Sequence, residues 1–265
     1  MFSSDGHLVV SASEREQAAK IFQVDSGQLY QRLRGHTSAI TCMALSPDGA
    51  LLLTSQADRT AKLWKVMSQE VESIPYAGKP VSVDFSPKTA LDSVGGRYIL
   101  MGSEKNYVWM QDLLGNDIRS FKQANQGVFS PDGRSILTGS QDGTTQVWDI
   151  ATRKSVKIPH TEAFVTTLAY APNGKSFAIG SDNGQVIYWD SVGASPVLFP
   201  KSTTSAIHSI AFSSEGKSLV YGGENGLTEI RDLSGKLIKA YPSTIRGGKS
   251  IRSVAFSPKL KEDKQ

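Results

Sequence analysis

The chain has 265 residues, 39% of them hydrophobic and 20% charged, a balance that excludes an intrinsically disordered chain and suffices to bury a core without disulfide staples. Its 29 basic and 25 acidic residues give a net charge of +4 but are interleaved, which argues against a nucleic-acid partner, and no apolar run approaches the ~20 residues of a membrane helix. Cys42 is the single cysteine, so no internal disulfide can form; it lies in the apolar run "AITCMAL" and reads as a buried thiol. The four histidines, His7, His36, His160 and His208, show no metal-ligand spacing, and no phosphate-binding loop is present, so no metal and no cofactor is expected. The first residues have neither the basic start nor the apolar stretch of a secretion signal, and the expected location is cytoplasmic.

Taken in order, the predicted elements are short β-strands. After "MFSSDG" come "HLVVSAS", "QAAKIFQV" and "GQLYQRLRG", then "AITCMAL", "ALLLTS", "TAKLWKV" and "QEVESIP". The same cycle recurs. An aromatic or aliphatic residue precedes a Ser-Pro-Asp-Gly-like turn at Phe2, Leu45, Phe85, Phe129, Tyr170, Phe212 and Phe256, at intervals of 40–44 residues. Proline presets one φ, Asp caps the turn locally and Gly accepts φ > 0, so these are strong turn signals. Small residues follow, and then a β-rich run that carries every tryptophan: Trp64, Trp109, Trp148 and Trp189. No apolar pattern with a helical period persists anywhere, so the protein is expected to be almost wholly β. The stretch "SPKTALDSVGGRY" is an insertion that breaks the cycle, and residues 259–265 form a charged tail after a single domain spanning 1–258.

The stretches "GHTSAITCMALSPDGALLLTSQADRTAKLWKV" and "FSPDGRSILTGSQDGTTQVWDI" resemble repeats of the WD-repeat (WD40) family, and the resemblance runs over about residues 2 to 258. It implies an all-β propeller of four-stranded blades, strands a (innermost) to d (outermost), around a central channel. Seven anchors but only six full cycles imply six blades. On this pattern the first blade has strands b, c and d within about residues 7–34 and no strand a, whereas "SIRSVAFSP" near the end is a spare strand a. Residues 250–257 are therefore expected to complete the first blade by a velcro closure, which would remove exposed strand edges. An open arc, or a piece of a longer propeller, are the rival readings.

The resemblance also assigns roles to single residues. In the family a His, a Ser or Thr, an Asp and a Trp form a hydrogen-bonded tetrad, which here maps onto His36, Thr54, Asp58 and Trp64. Thr138, Asp142 and Trp148 keep three members, with Ser120 in the His place. Other repeats depart: Ile179 and Asn183 stand for the hydroxyl and the Asp, Asn225 and Arg231 for the Asp and Trp, Lys105 and Gln111 likewise, and Glu16 and Phe22 in the first blade. A buried imidazole between a hydroxyl and a carboxylate is a satisfied structural cluster. His36, Asp58 and Thr54 could also be read as a triad, but no Gly-x-Ser-x-Gly elbow accompanies them, and no catalytic residue is assigned.

The implied function is that of a scaffold: a non-catalytic module that binds a peptide or another protein on one propeller face. The b–c turns and the loops leading into each strand a are expected to share that face. They carry Arg15, Arg59, Lys79, Lys105, Phe164, Arg246 and Lys249, mixed with Glu14, Glu104, Asp182 and Glu224. The basic bias of the first group points to an acidic or phosphorylated partner, with no nucleic acid and no membrane. Two alternatives stand beside this reading: a propeller enzyme with a site in the channel, and a sensor segment of a larger regulatory protein.

Overall fold

The computed structural model describes residues 1–13, 17–68, 70–76, 78–88, 97–159, 163–242 and 250–258. The tail 259–265, most of the insertion at 86–98, His160, Glu14, Arg15, Glu16, Arg246 and Lys249 lie outside the described residues. The fold is all-β, with six antiparallel sheets of the propeller-blade type. Two compact units hold them, one built on Met1–Phe121 and the other on Lys122–Phe256.

In the first unit, sheet one consists of β1 (Leu8–Ser13), β2 (Ala18–Gln23) and β3 (Leu29–Leu33). Sheet two is β4 (Ile40–Leu45), β5 (Leu51–Gln56), β6 (Thr60–Lys65) and β7 (Val71–Pro75). Sheet three is β8 (Pro80–Phe85), β9 (Tyr98–Ser103), β10 (Tyr107–Asp112) and β11 (Asp117–Lys122). In the second unit, sheet four is β12 (Gln126–Phe129), β13 (Ser135–Gly139), β14 (Thr145–Asp149) and β15 (Ser155–Ile158). Sheet five is β16 (Val165–Tyr170), β17 (Phe177–Ser181), β18 (Val186–Trp189) and β19 (Val197–Leu198), and sheet six is β20 (Ile207–Phe212), β21 (Ser218–Gly223), β22 (Thr228–Asp232) and β23 (Leu237–Tyr241).

Local chemistry sets the register. In the β4–β5 turn the Ser46 hydroxyl donates to Asp48 and accepts from Leu51 N–H, while Gly49 takes φ +72°. Ser130 and Asp132 repeat this in sheet four, and Ser3 and Asp5 repeat it before β1. The anchors then face fixed partners: Leu45 opposite Leu52, Phe129 opposite Ile136, Tyr170 opposite Phe177 and Phe212 opposite Leu219. The centres of the b strands are sealed on both faces, as with Leu52, Leu53, Ile136, Leu137, Phe177 and Ile179. Neighbouring sheets of a unit pack through these residues, for example Ile21 and Leu33 of sheet one with Leu52 and Trp64 of sheet two.

Sheet one has three strands, and Phe2 forms an isolated bridge with Val9, the same pairing that ends strand a in the other sheets. Residues 250–258 form no strand of any sheet, so the expected closure is not present as a hydrogen-bonded ladder among the described residues. The segment instead lies along sheet six: Ile251 N–H donates to Gly223 O at 2.8 Å and Val254 N–H to the Ser209 hydroxyl at 3.1 Å. Cys42 as a residue is half-buried, but its thiol is shielded from solvent, with Sγ 3.0 Å from Val81 O and its pKa pushed up to about 11 by burial.

Candidate interaction face

The polar residues marked by the repeat are engaged inside the sheets. In sheet two the Trp64 indole N–H donates to Thr54 Oγ1 at 3.0 Å, and His36 Nε2 lies 3.0 Å from the same oxygen. The indole is donor only, so Thr54 accepts from it and can give its own proton to the imidazole. The His36 ring leans on Trp64 with centroids 4.8 Å apart. Burial, with the nearby Lys62 charge, lowers the His36 pKa to about 4, so the ring is neutral at physiological pH. Asp58 makes no hydrogen bond to His36 among the described residues. Its carboxylate accepts from the Thr37 and Thr60 hydroxyls and the Thr60 N–H, and it serves the β5–β6 turn. Gln56, which the repeat does not single out, ties Thr37 N–H to the Thr60 hydroxyl from a fully buried position.

The other sheets vary this theme. Trp148 donates to Thr138 Oγ1 at 2.9 Å, while Asp142 caps its own turn through Thr144 N–H. In sheet five, with Ile179 at the hydroxyl position, the buried Trp189 Nε1 has no hydrogen-bond partner among the described residues, and the ring stacks on Phe177 at 5.4 Å. In sheet three Gln111 is buried at the Trp position and Trp109 packs instead against Tyr76 and Tyr107. In sheet six Arg231 donates its Nε–H to Tyr221 Oη, which donates in turn to Glu229. Arg231 also reaches Glu229, Gly235 O and Ser202. Burial alone would raise the Glu229 carboxyl, but hydrogen bonds from Ser202, Tyr221 and Arg231 hold it below the usual carboxylate value.

At one end of sheets two to six the end of strand b or the b–c turn is tied to the loop leading into strand a. Ala57 N–H donates to Ala39 O, Glu104 to Lys79 O, Asp182 to Phe164 O and Glu224 to Ala206 O, each at 3.0 Å. Asn125 N–H donates to Gly139 O at 2.9 Å. These ties hold Arg59, Lys79, Lys105 and Phe164 exposed at the loop end of their own sheets. At the opposite end of sheet two a cavity of about 390 Å³ is lined by Leu51, Leu63, Val71 and Leu113 and flanked by the Lys65–Glu70 ion pair. No cluster of His, Cys, Asp or Glu suited to a metal ion occurs among the described residues.

The family described as "WD domain, G-beta repeat" matches residues 27–65, 113–149 and 153–190. Three stretches of the chain thus match WD40 repeats. Nuclear distribution protein PAC1 of Arthroderma otae is 28% identical over 193 residues, covering 63% of this chain and 42% of that protein. Human angio-associated migratory cell protein is 26% identical over 147 residues, 54% of this chain and 32% of its own length. Rat apoptotic protease-activating factor 1 is 25% identical over 192 residues, 58% of this chain and 15% of its own length. The chain thus spans less than half the length of each of these relatives.

The matched WD40 repeats are out of phase with the sheets. The match at 27–65 takes in β3 of sheet one and then β4, β5 and β6; the match at 153–190 takes in β15 of sheet four and then most of sheet five. A repeat is therefore strand d of one sheet followed by a, b and c of the next. Sequence reasoning found the repeat positions of Trp64, Trp148 and Arg231 but missed Gln56, Tyr221 and Glu229. The signal for Tyr221 was present: it precedes Arg231 by the same interval that separates Thr54 from Trp64.

Proposed function

We propose that the chain is a non-catalytic protein-interaction scaffold of the cytoplasm, receiving a segment of another protein on the loop ends of its WD40 sheets. One observation carries this reading. The repeat's polar residues are consumed in holding the sheets, while the b–c turns, pinned to the neighbouring loops by backbone bonds, leave their differing side chains exposed. The rat relative's name, a protease-activating factor, is that of a protein acting on another protein, in line with this role. The loop-end cations favour an acidic partner. Closure of the first blade by residues 250–257 belongs to the same proposal. It is supported by Ile251, whose bond to Gly223 O repeats the bond of Val165, the first residue of a strand a, to Ser140 O.

Site-specific photocrosslinking tests the scaffold reading. A crosslinker at Phe164 on the loop end should trap a partner protein, whereas one at Val156 on the exposed outer strand of sheet four should not. Adducts confined to Val156, or none at either place, would overturn it.

A further inference from the structure

We propose that Arg59, Lys79 and Lys105 form one cationic subsite, on the loop ends of sheets two and three, that takes an Asp/Glu-rich segment of the partner; this rests on the scaffold reading. The three residues belong to one continuous loop cluster. Tyr76 N–H donates to Arg59 O at 3.2 Å, and Glu104 N–H donates to Lys79 O at 3.0 Å, so the loop leading into β8 is tied to both b–c turns. A methyl group on Gly78 would collide with the Ser103 hydroxyl and come within 3.3 Å of Lys105 Cγ. The Lys105 stem therefore crosses the loop at Gly78, next to Lys79. None of the three cations has an ion-pair partner among the described residues. Half-buried Tyr76, Tyr107 and Trp109, packed ring to ring, lie beside the same cluster and offer an apolar floor.

Two features set this cluster apart from an ordinary solvated rim. The first is Arg59 itself. Its φ is +71°, at the turn position that Gly143, Gly184 and Gly226 occupy in the second unit with φ of 80°, 79° and 73°. Glycine adopts that conformation freely and arginine does not. A guanidinium is thus held on the surface in a conformation that costs stability, with no ion pair among the described residues to offset it. The second is contrast. The equivalent turns of sheets four, five and six, Gln141-Asp142-Gly143, Asp182-Asn183-Gly184 and Glu224-Asn225-Gly226, carry acids at positions where sheets two and three also have Asp58 and Glu104, but no cation. Among the described residues, the carboxylates on the same two turns are Asp58 and Glu104. Asp58 is occupied by Thr37 and Thr60, which leaves Glu104 as the open one. Cations interrupted by acids in this way suit discrete carboxylates on an extended peptide better than a continuous phosphate backbone.

Fluorescence anisotropy with a short labelled Asp/Glu-rich peptide, its Asn/Gln counterpart and a single-stranded oligonucleotide tests the assignment, with Arg59→Gly as the decisive variant. The substitution should weaken peptide binding about tenfold while raising the urea midpoint, because it removes a charge and relieves the backbone at once. Lys79→Ala/Lys105→Ala should weaken binding with the midpoint unchanged. Equal binding by Arg59→Gly, a lowered midpoint in that variant, equal affinity for the Asn/Gln peptide, tighter binding of the oligonucleotide, or no peptide binding would each overturn the proposal. Comparison with the Phe164 crosslinking separates the two readings. Adducts at Phe164 together with unchanged peptide binding by Arg59→Gly leave the scaffold standing and remove the subsite.

Discussion

Arg231 donates to Tyr221 Oη across 2.7 Å in the same strand positions at which Trp64 donates to Thr54 across 3.0 Å. Sheet six has exchanged an indole–hydroxyl pair for a guanidinium–phenol pair and added Glu229 as counter-charge. The side chains of Arg231 and Glu229 are 7% and 4% exposed, so the pair is desolvated. Burial also raises the Tyr221 phenol, which keeps its proton and donates to Glu229. Arg231→Leu strands a buried carboxylate and should cost about 3–5 kcal/mol, whereas Arg231→Leu/Glu229→Leu should recover much of that loss. Urea titration of both variants checks this. A double variant no more stable than the single one would show that the charge pair is not what sheet six depends on.

Sheet five offers the converse case. Trp189 Nε1 is buried without a partner among the described residues, and Ile179 stands where Thr54 and Thr138 supply an acceptor in their sheets. An unsatisfied buried donor costs about 1–3 kcal/mol. Ile179→Thr places a hydroxyl where that donor waits and should cost less than about 1 kcal/mol, while Ile207→Thr, in a core with no such donor, should cost about 2 kcal/mol or more. Equal losses in chemical denaturation would mean that the indole N–H is not waiting for an acceptor at position 179.

Sheets two, four and six show how much of the fold is legible in the residues. The turns were legible because Ser46, Asp48 and Gly49 make their bonds within a few residues, and the same chemistry recurs at Ser130 and Asp132. The tryptophan positions were legible because the repeat aligns them. Arg231 looked like a departure because Tyr221, although it stands at the hydroxyl position of the repeat, is a phenol rather than a Ser or Thr, and because Ser202 comes from a distant loop that no local pattern announces. Asp58 was assigned to His36 by the repeat, yet three donors within its own turn and the neighbouring loop satisfy it first. For 250–258 the alternation suits a strand, but a ladder also needs an edge to pair with, which a residue pattern does not encode.

Trp64 is 1% exposed and is shared by the core of sheets one and two and by the Thr54 cluster. Trp64→Ala should cost about 3–5 kcal/mol, the range for a buried aromatic truncated to a methyl group. Trp64→Phe keeps most of the volume but removes the donor to Thr54, and should cost less than the alanine change. A loss below about 1 kcal/mol for Trp64→Ala in urea would show that the ring does not hold the core.

His36 makes the fold sensitive to acid in a definite window. Burial, followed by the Lys62 charge, lowers its pKa from 6.5 to about 4, while Asp58 opposes the shift weakly. The unfolded chain therefore takes up a proton on this imidazole between pH 6.5 and about 4 that the folded chain refuses. Stability from this group is complete above pH 6.5 and falls as the pH drops toward 4, by an amount on the order of 3 kcal/mol. His36→Gln keeps a polar side chain beside Thr54 but cannot titrate. Its urea midpoint should be lower than that of the parent at pH 7.5, with the gap closing by pH 4.5. Parallel pH curves for the two proteins would place the His36 pKa near its ordinary value and remove the acid sensitivity from sheet two.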